Sequence, residues 1–206
     1  INRSFPGNKS GSLASRVAYH LMREVIPYID YGIDFHTGGA ARTNYPQVRC
    51  VMSNEKNAEL AAAFNAPFTI DSPFRPRSLR QAASKKGKNI IVYEGGESLR
   101  FDTHAIEAGL SGALRLMKHL NMIDWAPEAS EENRVIWNST WVRARTAGLF
   151  QANIRAGNKV EKNQWLGTMT DPFGEFKEPI KSPTTGYVIG LNNAPVINAG
   201  DALLHI

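Results

Sequence analysis

Hydrophobic and polar positions along the chain follow two regimes. In "SGSLASRVAYHLMREVI" the residues Leu13, Val17, Leu21 and Val25 recur every four positions. That spacing predicts one apolar face of a helix, with a serine cap before it and Pro27 at its end. The run 31 to 36 alternates instead, with Ile33 and Phe35 on one side and Asp34 and His36 on the other, as in a strand. A short strand VRCVM (48 to 52), a helix NEKNAELAAAFNA capped by Asn54, and a short FTI follow. A helical SLRQAASKKG then closes at Gly87, where a glycine can end a helix, and leads into the buried-type strand NIIVY (89 to 93). From Asp102 to about Ile123, Ile106, Leu110, Leu114 and Met117 stand at the spacing of a core-facing helix that covers one sheet face. The fold class is α/β, a mixed sheet flanked by helices.

The second regime begins after "DWAPEASEEN", an acidic, aperiodic stretch read as a linker over 124–134. From 135 to 206 turn signals recur: GNK (157 to 159), DPFG (171 to 174), SPTTG (182 to 186), NNAP (192 to 195) and NAGD (198 to 201). Short strands between such turns predict a small all-β barrel or sandwich. The domains are therefore expected at 1–123 and 135–206.

Composition narrows the function classes. The 206 residues, 42% hydrophobic and 21% charged, carry enough apolar content for a core. No run approaches the roughly 18 to 20 apolar residues of a membrane helix, and no signal-like segment opens the chain, so a cytoplasmic location is expected. The single cysteine, Cys50, excludes an internal disulfide and a cysteine-rich metal module, leaving histidine and carboxylate as ligands for any metal. Residues 1 to 100 hold 14 Lys and Arg against 8 Asp and Glu, and the remainder is balanced at 10 against 11. The bases are scattered and not clustered with aromatics, which fits a small anionic substrate better than nucleic acid.

Two strands end alike. YGIDFHTGG delivers His36 and then glycines, and NIIVYEGGES delivers Glu94 and then Gly95 and Gly96. Ligands of α/β sheets sit at such strand ends, where glycine permits close approach, so His36 and Glu94 are candidates for one pocket. Asp34, two residues before His36, faces the same way and suits the carboxylate that orients a ligating imidazole. In INRSFPG the turn Phe5-Pro6-Gly7 has an aromatic anchor and can hold Asn2 and Arg3, whose planar fork matches a carboxylate. Arg80 in SLRQAA is a further anion-binding candidate. His20, His104, His119 and His205 are expected in structural or surface roles. No serine, cysteine or lysine nucleophile motif and no phosphate-binding glycine loop is present.

Taken in order, NRSFPG, GIDFHTGG, SLRQAA, YEGGES and the closing β segment resemble the succinylglutamate desuccinylase/aspartoacylase family, relatives of the zinc carboxypeptidases. The resemblance implies a zinc-carboxypeptidase-like mixed sheet and one zinc ion held by an HxxE motif and by a second histidine, which matches His36. It implies Glu94 as general base and acid, with Asn2, Arg3 and Arg80 binding the substrate. Zinc would polarise the acyl oxygen and lower the pKa of its water towards about 7. The family's HxxE lies before the Asn-Arg pair, and no HxxE is expected anywhere in these 206 residues. The other two ligands are therefore expected upstream of Ile1, so this stretch alone should bind zinc weakly or not at all and be inactive.

The second domain resembles the barrel-sandwich hybrid of biotinyl and lipoyl domains. Thr184 and Thr185 stand where a carrier lysine would be displayed, and Lys181 precedes the turn, so the implied role is to narrow access to the catalytic pocket. The expected function is zinc-dependent hydrolysis of the amide of an N-acyl amino acid. A zinc carboxypeptidase acting on peptides and a non-catalytic binding module are the alternatives. No nucleic-acid or membrane partner is expected, and a homo-oligomer is left open.

Overall fold

In the computed structural model, which describes residues 1–206, helix α1 (Leu13–Glu24) starts where Ser12 accepts a hydrogen bond from the Ser15 N–H at 3.4 Å. Its buried face differs from the expected one. Leu13 and Val25 are exposed, and Ala18 is fully buried beside Leu21 and Met22 against Phe5 and Ala82. The cause is close backbone approach. Gly7, at φ +87°, lies so near α1 that a Cβ there would stand 2.2 Å from the Tyr19 nitrogen and 2.3 Å from the Ser15 carbonyl oxygen. The Phe5-Pro6-Gly7 turn thus rests on the helix, where only small residues fit.

Strands β1 (Tyr31–Gly38) and β2 (Arg42–Cys50) come next, β2 starting six residues earlier than its apolar pattern indicated. Helix α2 (Glu55–Phe64) is capped by Asn54, whose Oδ1 accepts from the Asn57 N–H at 2.9 Å, and it stops at Asn65 in the left-handed region. Then follow β3 (Phe68–Asp71), α3 (Leu79–Ser84), β4 (Asn89–Glu97), α4 (Thr103–His119) and β5 (Arg134–Ile136). The sheet order is β1-β4-β2, with β3 beside β2 and β5 parallel to β3. In β4 the run Ile90, Ile91, Val92 and Tyr93 is buried without alternation, as in a strand covered on both faces.

Helix α4 ends at His119, short of Ile123, and turns a different face inward than its large apolar residues suggested. Ile106 and Leu110 are 52% and 60% exposed, while Ala105, Gly109, Gly112 and Leu116 are buried. A Cβ on Gly109 would lie 3.0 Å from Tyr93 Cε1, and one on Gly112 would lie 2.1 Å from Phe64 Cε1. The aromatic rings fill the space that side chains would take.

After Ile136 there are only strands: β6 (Trp141–Arg143), β7 (Gly148–Ala152), β8 (Lys159–Val160), β9 (Trp165–Thr170), β10 (Lys177–Lys181), β11 (Gly186–Tyr187), β12 (Gly190–Asn192), β13 (Val196–Ile197) and β14 (Ala202–His205). An antiparallel sheet runs β10-β9-β7-β13, and β11 pairs with β8. β12 pairs antiparallel with both β14 and the first residues of β2, and β14 pairs with β6. Phe150, Leu166, Met169, Ile180, Val188, Ile197, Leu203 and Leu204 form one core among these strands.

Two compact units result. The first comprises Ile1–His36, Val48–Tyr93 and Gly109–Ile136; the second comprises Thr37–Gln47, Glu94–Ala108 and Trp137–Ile206. The second unit is thus built from the C-terminal strands together with two segments of the α/β half. Residues 124–133 carry no helix or strand, and they are tied to the first unit: Asn133 donates to the Thr69 hydroxyl at 2.9 Å, and the Glu128 carbonyl accepts from Arg115 at 3.4 Å.

Candidate active site

In the first unit, the turn that opens the chain is stapled to the start of α3. The Phe5 N–H donates to the Arg77 carbonyl at 3.1 Å, and the Leu79 N–H donates to Asn2 Oδ1 at 2.9 Å. The second bond fixes the Asn2 amide, so its Nδ2 points at His36 Nε2, 3.3 Å away. His36 Nε2 also lies 3.0 Å from Asp34 Oδ2. A single ring nitrogen therefore faces a donor and an anionic acceptor. Protonated, it donates to Asp34; unprotonated, it accepts from Asn2, and it cannot do both. Arg3 is exposed, and its guanidinium folds onto the Asn2 carbonyl.

Arg80 is only 6% exposed, and its guanidinium is directed at backbone. It donates to the carbonyls of Ser72 at 3.2 Å and of Arg49 and Pro73 at 3.4 Å each, and to the Ser72 hydroxyl at 3.4 Å. The structure does not join it to the Asn2–His36–Asp34 cluster by any of these bonds.

Glu94 belongs to the second unit. Its Oε2 accepts a 2.7 Å hydrogen bond from Nδ2 of Asn44, a buried side chain on β2. Asn44 itself is confined by Gly190 of β12, since a Cβ on that residue would come within 3.1 Å of Asn44 Oδ1. Sequence reasoning missed Asn44. The available signal was two polar amides, Asn44 and Gln47, inside one strand, and both are buried. The glycines that follow the two candidate residues serve backbone packing: a Cβ on Gly38 would lie 1.9 Å from the Arg42 carbonyl oxygen, and Gly96, at φ +71°, sits against Asp102 and Ala105.

No group of three or more His, Cys, Asp or Glu side chains converges. His36 with Asp34 supplies one imidazole, and a catalytic zinc site takes three protein ligands. The residues of this chain therefore do not make a zinc site by themselves. One HxxE does occur, His104-Ala105-Ile106-Glu107, a match the sequence reading passed over. It opens α4 downstream of Glu94, with the His104 ring packed on Tyr45 at 5.3 Å and Glu107 exposed. His119 pairs with Glu59 at 2.8 Å, and His205 is buried, stacked on Trp141 at 4.2 Å with Nε2 on Ser139 Oγ at 2.9 Å. Cys50 is buried, and burial pushes its thiol up to about 11, which keeps it from acting as a thiolate nucleophile at neutral pH.

The family model of the succinylglutamate desuccinylase/aspartoacylase catalytic domain matches residues 1–120. The chain belongs to this family. Among curated proteins, this desuccinylase/aspartoacylase-family chain is 23% identical over 219 residues to the N-alpha-acetyl-L-2,4-diaminobutyric acid deacetylase of Halomonas elongata, covering 98% of this chain and 63% of that protein. Among solved structures it superposes on a succinylglutamate desuccinylase/aspartoacylase of Rhodobacter sphaeroides with a TM-score of 0.86 at 22% identity, covering 98% of this chain and 66% of the other. The product-bound ectoine utilization protein EutE (DoeB) of Ruegeria pomeroyi also gives 0.86, at 21% identity, covering 98% and 65%. These likenesses establish the mixed α/β fold. The chain spans just under two thirds of each of these relatives' length. No helix is long and apolar enough to cross a membrane.

Proposed function

We propose that the protein is a cytoplasmic, metal-dependent deacylase that hydrolyses the amide of a small N-acyl amino acid. The observation that carries this reading is the convergence of Asn2 and Asp34 on Nε2 of His36 in a chain of this family. His36, with Asp34 beside it, would hold a zinc ion as one ligand of a set that these residues do not complete, and the metal would supply polarisation of the acyl oxygen. Glu94 acts as general base and then acid: it takes a proton from the attacking water and returns it to the leaving nitrogen. The Asn44 hydrogen bond orients that carboxylate. Asn2 and Arg3 orient the acyl or carboxylate end, and Arg80 enters the same task only by giving up some of its bonds to backbone carbonyls. The strands after Ile136, which form one unit with Thr37–Gln47 and Glu94–Ala108, are read as a small β module of the barrel-sandwich-hybrid kind.

The test is Glu94→Gln in the whole protein, assayed against N-acyl amino acids with the metal content measured alongside. Removing a general base lowers kcat by about 10²- to 10⁴-fold, and the zinc content should not change. Turnover within tenfold of the unaltered protein would remove Glu94 from the mechanism. A parallel screen of C-terminal peptides separates deacylase from carboxypeptidase action.

A further inference from the structure

Arg42, the first residue of β2 in the second unit, is half-buried, and no carboxylate pairs with it. Its Nε is enclosed and meets no hydrogen-bond acceptor. Buried donors in folded proteins are nearly always paired, so an enclosed guanidinium without an acceptor calls for a partner from outside the chain. The guanidinium carbon lies over the Trp141 ring, 5.4 Å from its centroid, and that ring stacks on His205 at 4.2 Å and 6°. Stacking fixes the plane of the fork and leaves its N–H edge for an acceptor. Other inward arginines turn that edge to backbone: Arg80 donates to the carbonyls of Ser72 and Pro73, and Arg115 to those of Phe64 and Asn65.

Arg42 stands on the same face of β2 as Asn44, because side chains two residues apart on a strand point the same way, roughly 7 Å from each other. Asn44 is the residue that donates to Glu94 Oε2 at 2.7 Å. Opposite Asn44 on β12 is Gly190, and opposite Gly190 on β14 is His205. A Cβ on Gly190 would come within 3.1 Å of Asn44 Oδ1 and 3.4 Å of His205 Cβ. The missing side chain therefore leaves a notch on this face, floored by Gly190 between Asn44 and His205. The hydrogen-bond partner of Glu94 borders one side of it, and the Arg42–Trp141–His205 stack borders the other. In an N-acyl amino acid the amide nitrogen and the α-carboxylate are carried by the same carbon, so both groups fit within that spacing.

We propose that Arg42 binds the α-carboxylate of the substrate, so that hydrolysis requires a free carboxylate beside the scissile amide. This rests on the deacylase reading and adds to it: the carboxylate goes to Arg42, and Asn2 and Arg3 are left the acyl end. Arg42 is a substrate-binding residue, and Glu94 remains the proton carrier.

The experiment compares the whole protein with Arg42→Gln and Arg42→Lys. The substrates are the N-acetyl amino acid that the unaltered protein hydrolyses fastest in a panel, and its α-carboxamide. The unaltered protein should prefer the acid by about tenfold or more in kcat/KM. In Arg42→Gln the KM for the acid should rise by about tenfold or more with kcat little changed, and the carboxamide should be hydrolysed as before, so the preference disappears. Arg42→Lys keeps the cation and loses the fork, so its KM for the acid should lie in between. Thermal unfolding is followed alongside. No preference for the acid in the unaltered protein, or equal losses on acid and carboxamide in the variants, overturns the proposal and leaves Arg42 a stacking residue. Should Arg42→Gln not fold, Arg42→Lys decides by the same split between the two substrates. If the unaltered protein hydrolyses no N-acyl amino acid, the deacylase reading fails, and Arg42 is judged by calorimetric titration with N-acetylglycine and N-acetylglycinamide. Binding of the acid about tenfold tighter than the amide, lost in Arg42→Gln, supports the site. Equal binding of the two, or no binding of the acid, overturns it.

Discussion

In the first unit Nε2 of His36 faces two polar side chains at once. Asn2 cannot turn its amide away, because its Oδ1 is engaged by the Leu79 N–H, and Asp34 approaches from another side at 3.0 Å. A neutral nitrogen there offers its lone pair beside a carboxylate, which is the arrangement a cation would favour. Arg80 presents the opposite situation, a buried cation satisfied by neutral carbonyls of residues 49, 72 and 73. Truncation leaves those acceptors unpaired, and each buried unpaired polar group costs about 1 to 3 kcal/mol. Arg80→Ala should therefore lower the unfolding free energy by at least about 1 kcal/mol in urea denaturation. Unchanged stability with a raised KM would instead assign the guanidinium to the substrate.

Helix α4 shows how an element can be read correctly and faced wrongly. Its helical period is plain in Ile106, Leu110, Leu114 and Met117, yet the inward positions are Gly109 and Gly112, because Tyr93 and Phe64 occupy the space between. Gly112→Ala would gain about 1 kcal/mol of helix propensity but force a methyl to 2.1 Å from a ring that is itself fully buried. Overpacking of that kind costs about 1 to 3 kcal/mol, so we expect a net loss of stability in thermal or urea unfolding. A variant as stable as the parent would show that Phe64 yields freely. α2 and α4 are also joined at the end of α2, which has no basic residue in its last turn. Arg115 of α4 supplies the charge, donating to the carbonyls of Phe64 at 3.0 Å and Asn65 at 3.1 Å. Burial lowers the pKa of that guanidinium, though at its high ordinary value it stays charged.

For the chain as a whole, the expectation concerns metal. With a single imidazole at the candidate site, the 206 residues alone should show no tight stoichiometric zinc site in a competition titration and no hydrolysis of N-acyl amino acids. Tight one-to-one binding by these residues would mean that a ligand set exists which the geometry does not show.

Much of this molecule is legible from local pattern. The caps Ser12 and Asn54, the alternating β1, the buried β4 and the turn-punctuated strands after residue 136 follow from backbone preferences that act over a few residues. The motifs around His36, Glu94 and Asn2 were readable for the same reason, since each lies within a short run. Other features are long-range and leave no local trace. Gly109 and Gly112 are inward because a neighbouring ring comes close, and a hydrophobicity pattern ranks such small residues last. Asn44 meets Glu94 across 50 residues of chain, and Arg42 meets Trp141 only after β2 and β6 have joined one sheet. Periodicity and capping chemistry are local and determine which elements form. Packing then determines which face of an element is buried and which distant side chain stands beside a carboxylate.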